Sequence, residues 1–295
     1  YPVKYTKQSR KEKIALIPNT SHAFSRLMAA AFAGQGVRTE SLAVGCEETI
    51  RLGKQYVHND ICFPAQIVIG EALAALKSGK YDGDEVAIGM GKYVGDCRLT
   101  HYSALLRKAL DDAGYPQVPI LTNDDKDSHK LHPGFHMNLF TAVKIAFGLP
   151  MIDVIEELLR KIRPYEKEKG SADQAFEKAI EIMKDIPYDR SEKRPQVLIV
   201  GEYLLNFHPG ANHDIEAYLE KNGFEIIEAR MTDVIRKTYF YQYTQIREYR
   251  LKKPLADKVW LRTANQAFEI AHDVTDKIAA RHPLYTPVCR LPDLV

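Results

Sequence analysis

Apolar and polar positions in this chain fall into two kinds of run that take turns. Lys13 to Pro18 (KIALIP), Val37 to Val44, Glu85 to Met90 and Val118 to Thr122 are short apolar runs with the length and side-chain type of buried strands. Between them, Phe24 to Gln35, Phe63 to Lys77 and Leu99 to Ala113 repeat their apolar residues at helical spacing. Local signals agree with those boundaries: Asn19, Thr20 and Ser21 are cap-type residues, Pro64 suits a first helical turn, and Gly114 closes a helix. Strands alternating with helices predict a mostly parallel sheet covered on both faces, because a parallel pair needs a crossover to join its ends.

From Met151 to Met183 the pattern is helical, interrupted at Pro164 and at the charged Lys167 to Ser171 segment. After Pro195 the alternation restarts, with Val197 to Val200 as a strand, Asn212 to Asn222 as a helix ended by Gly223, and Phe224 to Glu228 as a strand. A long helical tract then runs from about Asp233 to Arg281. The pattern predicts an α/β chain of two Rossmann/flavodoxin-like parallel-sheet units: a first domain over 1–150, a helical connector over 151–194, and a second unit over 195–295. Few strands precede the end of that second unit and no methionine precedes Tyr1, so the expectation is a piece of a longer protein with an incomplete second unit.

Composition narrows the partners. The chain has 295 residues, enough for two cores. Lys plus Arg number 41 and Asp plus Glu 39, a net charge of +2, which provides no field to hold a polyanion by counterion release; no nucleic-acid partner is expected. No apolar run approaches the roughly 18 residues of a membrane span, and Tyr1 to Lys13 is basic and polar, so a cytoplasmic protein without a membrane partner is expected. The four cysteines are widely and irregularly spaced, unlike a disulfide framework.

Two of these cysteines stand where a loop turns into a helix. In Asn59-Asp60-Ile61-Cys62-Phe63-Pro64 the proline fixes an early helical position, which puts Cys62 at the helix N-terminus. There the helix dipole favours the thiolate, the form that binds metal or attacks as a nucleophile; a buried core thiol is the plain structural alternative. The second, Cys97, follows the glycine-rich loop Gly89 to Gly95, with Arg98 beside it and a helix beyond. In a doubly wound sheet, loops at the carboxyl ends of the strands converge on one crevice, so the two cysteines are placed to face one ligand. Gly91 and Gly95 allow close backbone approach, and Arg98 suits a thiolate, an anionic ligand or a surface ion pair. The glycine spacing is one residue longer than the dinucleotide fingerprint, which leaves an NAD-type oxidoreductase as a rival reading.

Asp60-Ile61-Cys62-Phe63-Pro64, Ile69-Gly70, and Gly95-Asp96-Cys97-Arg98 with Tyr102 resemble the activase-associated, 2-hydroxyacyl-CoA dehydratase-like iron–sulfur proteins. The likeness continues through Arg107-Lys108-Ala109-Leu110 and Gly114 to Pro119, and weakly through Gly201-Glu202 and Asn212. The resemblance implies an oxygen-sensitive iron–sulfur cluster, 4Fe-4S or double-cubane, held by cysteine thiolates and reduced by an ATP-dependent activase domain or protein. Cys62 and Cys97 become ligands by that likeness, and the chain a reductase or dehydratase component that acts in electron transfer. The late Gly-Cys-Leu-Pro-like segment of such proteins has no match; Cys289 in Val288-Cys289-Arg290-Leu291-Pro292 is only superficially similar. The third ligand is left to Cys46, to a homodimer partner, or to chain beyond Val295. A non-catalytic interaction domain of a CoA-substrate-specific enzyme activase, without its own cluster, is the rival from another class. The chain has no phosphate-binding loop for ATP, which would bind another domain.

Other polar groups allow both a functional and a structural reading. His129, His132 and His136 surround Pro133-Gly134 at a spacing open to a metal ion or to capping. His208 to His213 occupies a loop after the strand Val197 to Val200, and Glu202 stands in the same region as a candidate acid or base. Tyr239 to Lys253 interleaves aromatic and basic residues as single-strand binders do, although a helix packing face with a solvated basic side has the same composition.

Overall fold

A computed structural model describes residues 3–91, 97–122, 128–165, 167, 186–236 and 255–287. The chain divides into two compact units: Tyr1–Ala142 with Phe207–Asp214, and Val143–Asn206 with Ile215–Val295. The boundary expected near residue 150 thus lies at Ala142, inside a helix, α5 (Leu139–Ile162), that runs through Pro150. Residues 151–194, expected as a connector, belong to the second unit.

The first unit is built on four parallel strands, β1 (Ile14–Ile17), β2 (Thr39–Ser41), β3 (Val86–Gly89) and β4 (Ile120–Leu121), in the order β2-β1-β3-β4. The order reverses between β1 and β3, which makes the carboxyl ends of those two strands the topological switch point where open α/β sheets bind ligands. β3 is central, and Val86, Ala87 and Ile88 are fully buried, as expected for a strand covered on both faces. The longer described helices of this unit are α1 (His22–Ala33), α2 (Glu47–Tyr56), α3 (Phe63–Lys77) and α4 (Tyr102–Asp112).

α1 starts where the cap-type residues predict, with Ser21 Oγ accepting from Phe24 N at 3.1 Å. α2 was not foreseen; its apolar residues are few, and its packing depends on glycine. A Cβ on Gly53 would lie 1.9 Å from the Gln66 carbonyl oxygen, and one on Gly70 would lie 2.1 Å from that of Thr49. α2 and α3 therefore touch backbone to backbone, and the contacts pair early α2 with mid α3 and late α2 with early α3, so the helices run antiparallel. α3 is apolar on nearly every side and is buried from Ala65 to Leu73, Glu71 included.

The second unit contains a two-stranded parallel sheet, β5 (Gln196–Leu198) with β6 (Glu225–Ile227), together with α5, α6 (Ile215–Lys221) and α7 (Leu255–Ala279). The helix expected from Asn212 to Asn222 is split, because His213 and Asp214 adopt left-handed φ values of 58° and 56°. The helical tract expected from about Asp233 is observed as α7, with residues 237–254 outside the described set. Val154, Leu158, Leu159, Ile162, Ile186 and Ala279 form the apolar core of this unit.

Candidate functional site

Each described cysteine stands at the N-cap of a helical segment: Cys46 before α2, Cys62 before α3, and Cys97 before a 3-10 turn, Arg98–His101, that leads into α4. α3 feeds β3, so its first turn lies at the end of the sheet where the strands finish, the end from which the loop carrying Cys97 departs.

The Cys62 and Cys97 loops are joined by two contacts. Cys62 Sγ lies 2.6 Å from Tyr102 Oη, and Arg98 Nη1 donates to the Asp60 carbonyl at 3.2 Å. Tyr102 is buried at the start of α4, five residues beyond Cys97. The Cys97 Sγ itself accepts from Leu99 N at 3.5 Å and is exposed. Cys62, Cys97 and Arg98 thus occupy one neighbourhood, with the Arg98 guanidinium bonded to the backbone of the Cys62 loop.

Cys46 is held elsewhere. The Thr49 carbonyl, one turn into α2, abuts Gly70, which is eight residues beyond Cys62 along α3. At about 1.5 Å per helical residue that displacement is roughly 12 Å, so α2 carries Cys46 away from Cys62 rather than towards it. The Cys46 thiol donates to Glu48 Oε2 at 2.9 Å, and this hydrogen bond holds the Glu48 carboxyl below its usual range. Among the described residues no group of three or more His, Cys, Asp or Glu side chains is arranged to hold a metal ion.

Among the described residues, no atom lies within 4 Å of where a Cβ on Gly91, two residues after β3, would stand, and its φ is not left-handed. Gly95 and Cys289 lie outside the described residues, as does the aromatic and basic tract 239–253.

His132 and Glu202 make local structural contacts. His132 is buried and its Nδ1 accepts from Tyr5 N at 3.2 Å, while a Cβ on Gly134 would lie 2.0 Å from the Thr6 carbonyl oxygen. The backbone carbonyl of His136 accepts from Gln35, and the His129 side chain is outside the described set. Together these contacts pin the start of the chain. Glu202 Oε2 accepts from Leu204 N at 2.9 Å and from Leu205 N at 3.3 Å, the geometry of a helix cap.

The role of Glu71 emerges only from the structure. This fully buried carboxylate accepts on Oε1 from Gly45 N at 2.7 Å and pairs there with His208 Nε2 at 2.7 Å. His208 Nδ1 accepts from Ala211 N at 3.1 Å, which leaves the ring proton on Nε2, donated to Glu71. A Cβ on Gly210 would lie 1.8 Å from the Gly45 carbonyl oxygen, so the segment Phe207–Asp214 belongs to the first unit by backbone contact as well as by this buried pair. A glutamate within an apolar helical run was the only available signal, and its partner lies 137 residues away.

No protein-family model, curated protein or solved structure matches the chain. Among the described residues, no helix is long and apolar enough to cross a membrane.

Proposed function

We propose that the first unit is a cysteine-ligated iron–sulfur domain of an electron-transfer or reductase component, reduced by an ATP-dependent activase supplied by another domain or protein. The observation that carries this reading is the joining of the Cys62 and Cys97 loops through Tyr102 and Arg98 at the carboxyl end of the parallel sheet. The donor set fits in part. Cys62 and Cys97 would supply two sulfur donors from helical N-caps, and no described atom crowds Gly91, whereas Cys46 is displaced along α3. The remaining ligands would come from a second copy across a homodimer or from chain outside this sequence. When bound, the cluster would supply one-electron chemistry; the chain would hold it by thiolates and by helix-terminal N–H groups. The second unit, with its parallel β5–β6 pair, is read as an α/β unit of the same kind, and an oxygen-sensitive cluster would suit a cytoplasmic, anaerobic setting.

The test is anaerobic purification of the chain, alone and with its activase, followed by iron and sulfide analysis. Cys62→Ala and Cys97→Ala are each expected to lose most of the iron, and Cys46→Ala to retain it. Equal iron in Cys62→Ala and the parent protein would refute the assignment. Saturable nicotinamide binding, abolished by Gly91→Val, would favour the dinucleotide reading instead, which rests on the open space at Gly91.

A further inference from the structure

In the second unit, α5, α6 and the end of β6 converge on one guanidinium. Arg160 Nε lies 2.9 Å from Glu216 Oε2, and its Nη2 lies 3.8 Å from Glu156 Oε2 and also pairs with Glu228 Oε2. Next to it, Arg163 Nη1 lies 3.4 Å from Glu220 Oε1. Glu156 and Arg160 come from α5, Arg163 from the turn after it, Glu216 and Glu220 from α6, and Glu228 from the residue after β6. Asp153, one turn before Glu156 on α5, also faces Glu156. The Glu228 side chain is 0 % exposed and that of Arg160 10 %.

With every group ionised, the four glutamates around the two arginines leave the cluster two negative charges in excess. Apart from its ion pair with Arg160, Glu228 receives no hydrogen bond from a described N–H or O–H group. Its other polar neighbour is the Glu216 carboxyl. Two carboxylates share no hydrogen and repel; one proton between them turns the contact into a hydrogen bond.

We propose that this cluster is a proton-binding site that takes up at least two protons from solvent as the medium passes from mildly alkaline to mildly acidic, tightening α5, α6 and the end of β6 against one another. Burial is the main cause that pushes Glu228 up to about 8 and Glu156 and Glu220 up to about 7, from an ordinary value of 4.5. Repulsion from Glu216 adds to the shift in all three, and Arg160 opposes it. Arg160 remains charged, because Glu216, Glu228 and Glu156 outweigh its own burial. Since these folded-state values lie above the unfolded ones, the folded unit binds more protons between about pH 4.5 and about pH 8. Its stability therefore falls as pH rises through that window, the reverse of what a salt-bridged carboxylate with a lowered value produces.

The test is hydrogen exchange by mass spectrometry on the whole chain at about pH 8.5 and about pH 6, corrected for intrinsic exchange, reading peptides from α5, α6 and β6. Two bound protons change the opening equilibrium by up to about a hundredfold per pH unit, with greater protection at the lower pH. Glu228→Gln is expected to raise protection at the alkaline pH and flatten the dependence. Protection that falls with pH, an unchanged slope in Glu228→Gln, or alkaline protection restored by added magnesium or potassium ions would overturn the proposal. If Glu228→Gln does not fold, Glu220→Gln takes its place, and infrared spectroscopy of the parent protein decides the matter. A carboxylic-acid carbonyl band that disappears as pH rises from about 6 to about 9 supports the site, and its absence refutes it.

Discussion

The two units bury different kinds of group. In the first, most of the large fully buried side chains are hydrocarbons, among them Leu16, Ile67, Ile69, Leu73, Ile88, Leu106 and Leu110, and the single buried carboxylate among the described residues, Glu71, is met by a histidine and a backbone N–H. Among the described residues, the second buries fewer apolar side chains and encloses Asp153, Arg160, Glu225, Arg230 and Arg236. Asp153 accepts from Met231 N at 2.8 Å and Thr232 N at 2.9 Å, and Glu225 is paired with Arg190 and with Tyr165. A hydrocarbon core with helices in backbone contact is sensitive to volume, whereas a core of ion pairs is sensitive to protonation. The first unit should therefore respond to added atoms and the second to pH.

The largest effect expected of that contrast is from Gly53→Val or Gly70→Val, whose Cβ atoms would meet backbone oxygen at 1.9 and 2.1 Å. Each is expected to cost about 3 kcal/mol or more and to expose the β1 and β3 amides to exchange. A chemical denaturation midpoint unchanged in either variant would show that α2 and α3 do not cross so closely. His208→Ala comes next, because it leaves the buried Glu71 carboxylate with only the Gly45 N–H. A loss of about 3 kcal/mol is expected in urea unfolding, with a smaller loss for Glu71→Gln, which still accepts from Gly45.

Smaller again is the pH effect in the second unit. Glu228→Gln should stabilise it at about pH 8 by on the order of 1–2 kcal/mol and have little effect at about pH 5. If that substitution instead destabilises at both values, the contrast between the units fails on the charged side. The smallest effect is for Ser21→Ala, which removes the cap from Phe24 N and should cost about 1 kcal/mol in the first unit, measured by thermal unfolding.

Periodicity was enough to read β1, α1, α3, β3, α4 and β4, because each carries its own strong local pattern and, in α1 and α3, a cap or proline at the expected position. It missed α2, whose stability comes from glycine-mediated packing on α3 rather than from an apolar stripe. It placed a boundary near Pro150, although buried packing carries α5 through that proline. The adjacency of the Cys62 and Cys97 loops was legible from helix-start residues and strand alternation. The displacement of Cys46 was not, because sequence proximity says nothing about the direction in which a neighbouring helix runs.

By itself the sequence determined that the chain is α/β, that a parallel sheet opens it, and that two cysteines stand at helix starts, since strand and helix periods, caps and proline are local properties. Tertiary structure alone decided that Tyr102 meets Cys62, that His208 meets Glu71 across 137 residues, and that Glu156, Glu216, Glu220 and Glu228 gather around Arg160 and Arg163. Those pairings depend on distances between segments remote in the chain, and the cost of burying a charge is set only once such segments have met.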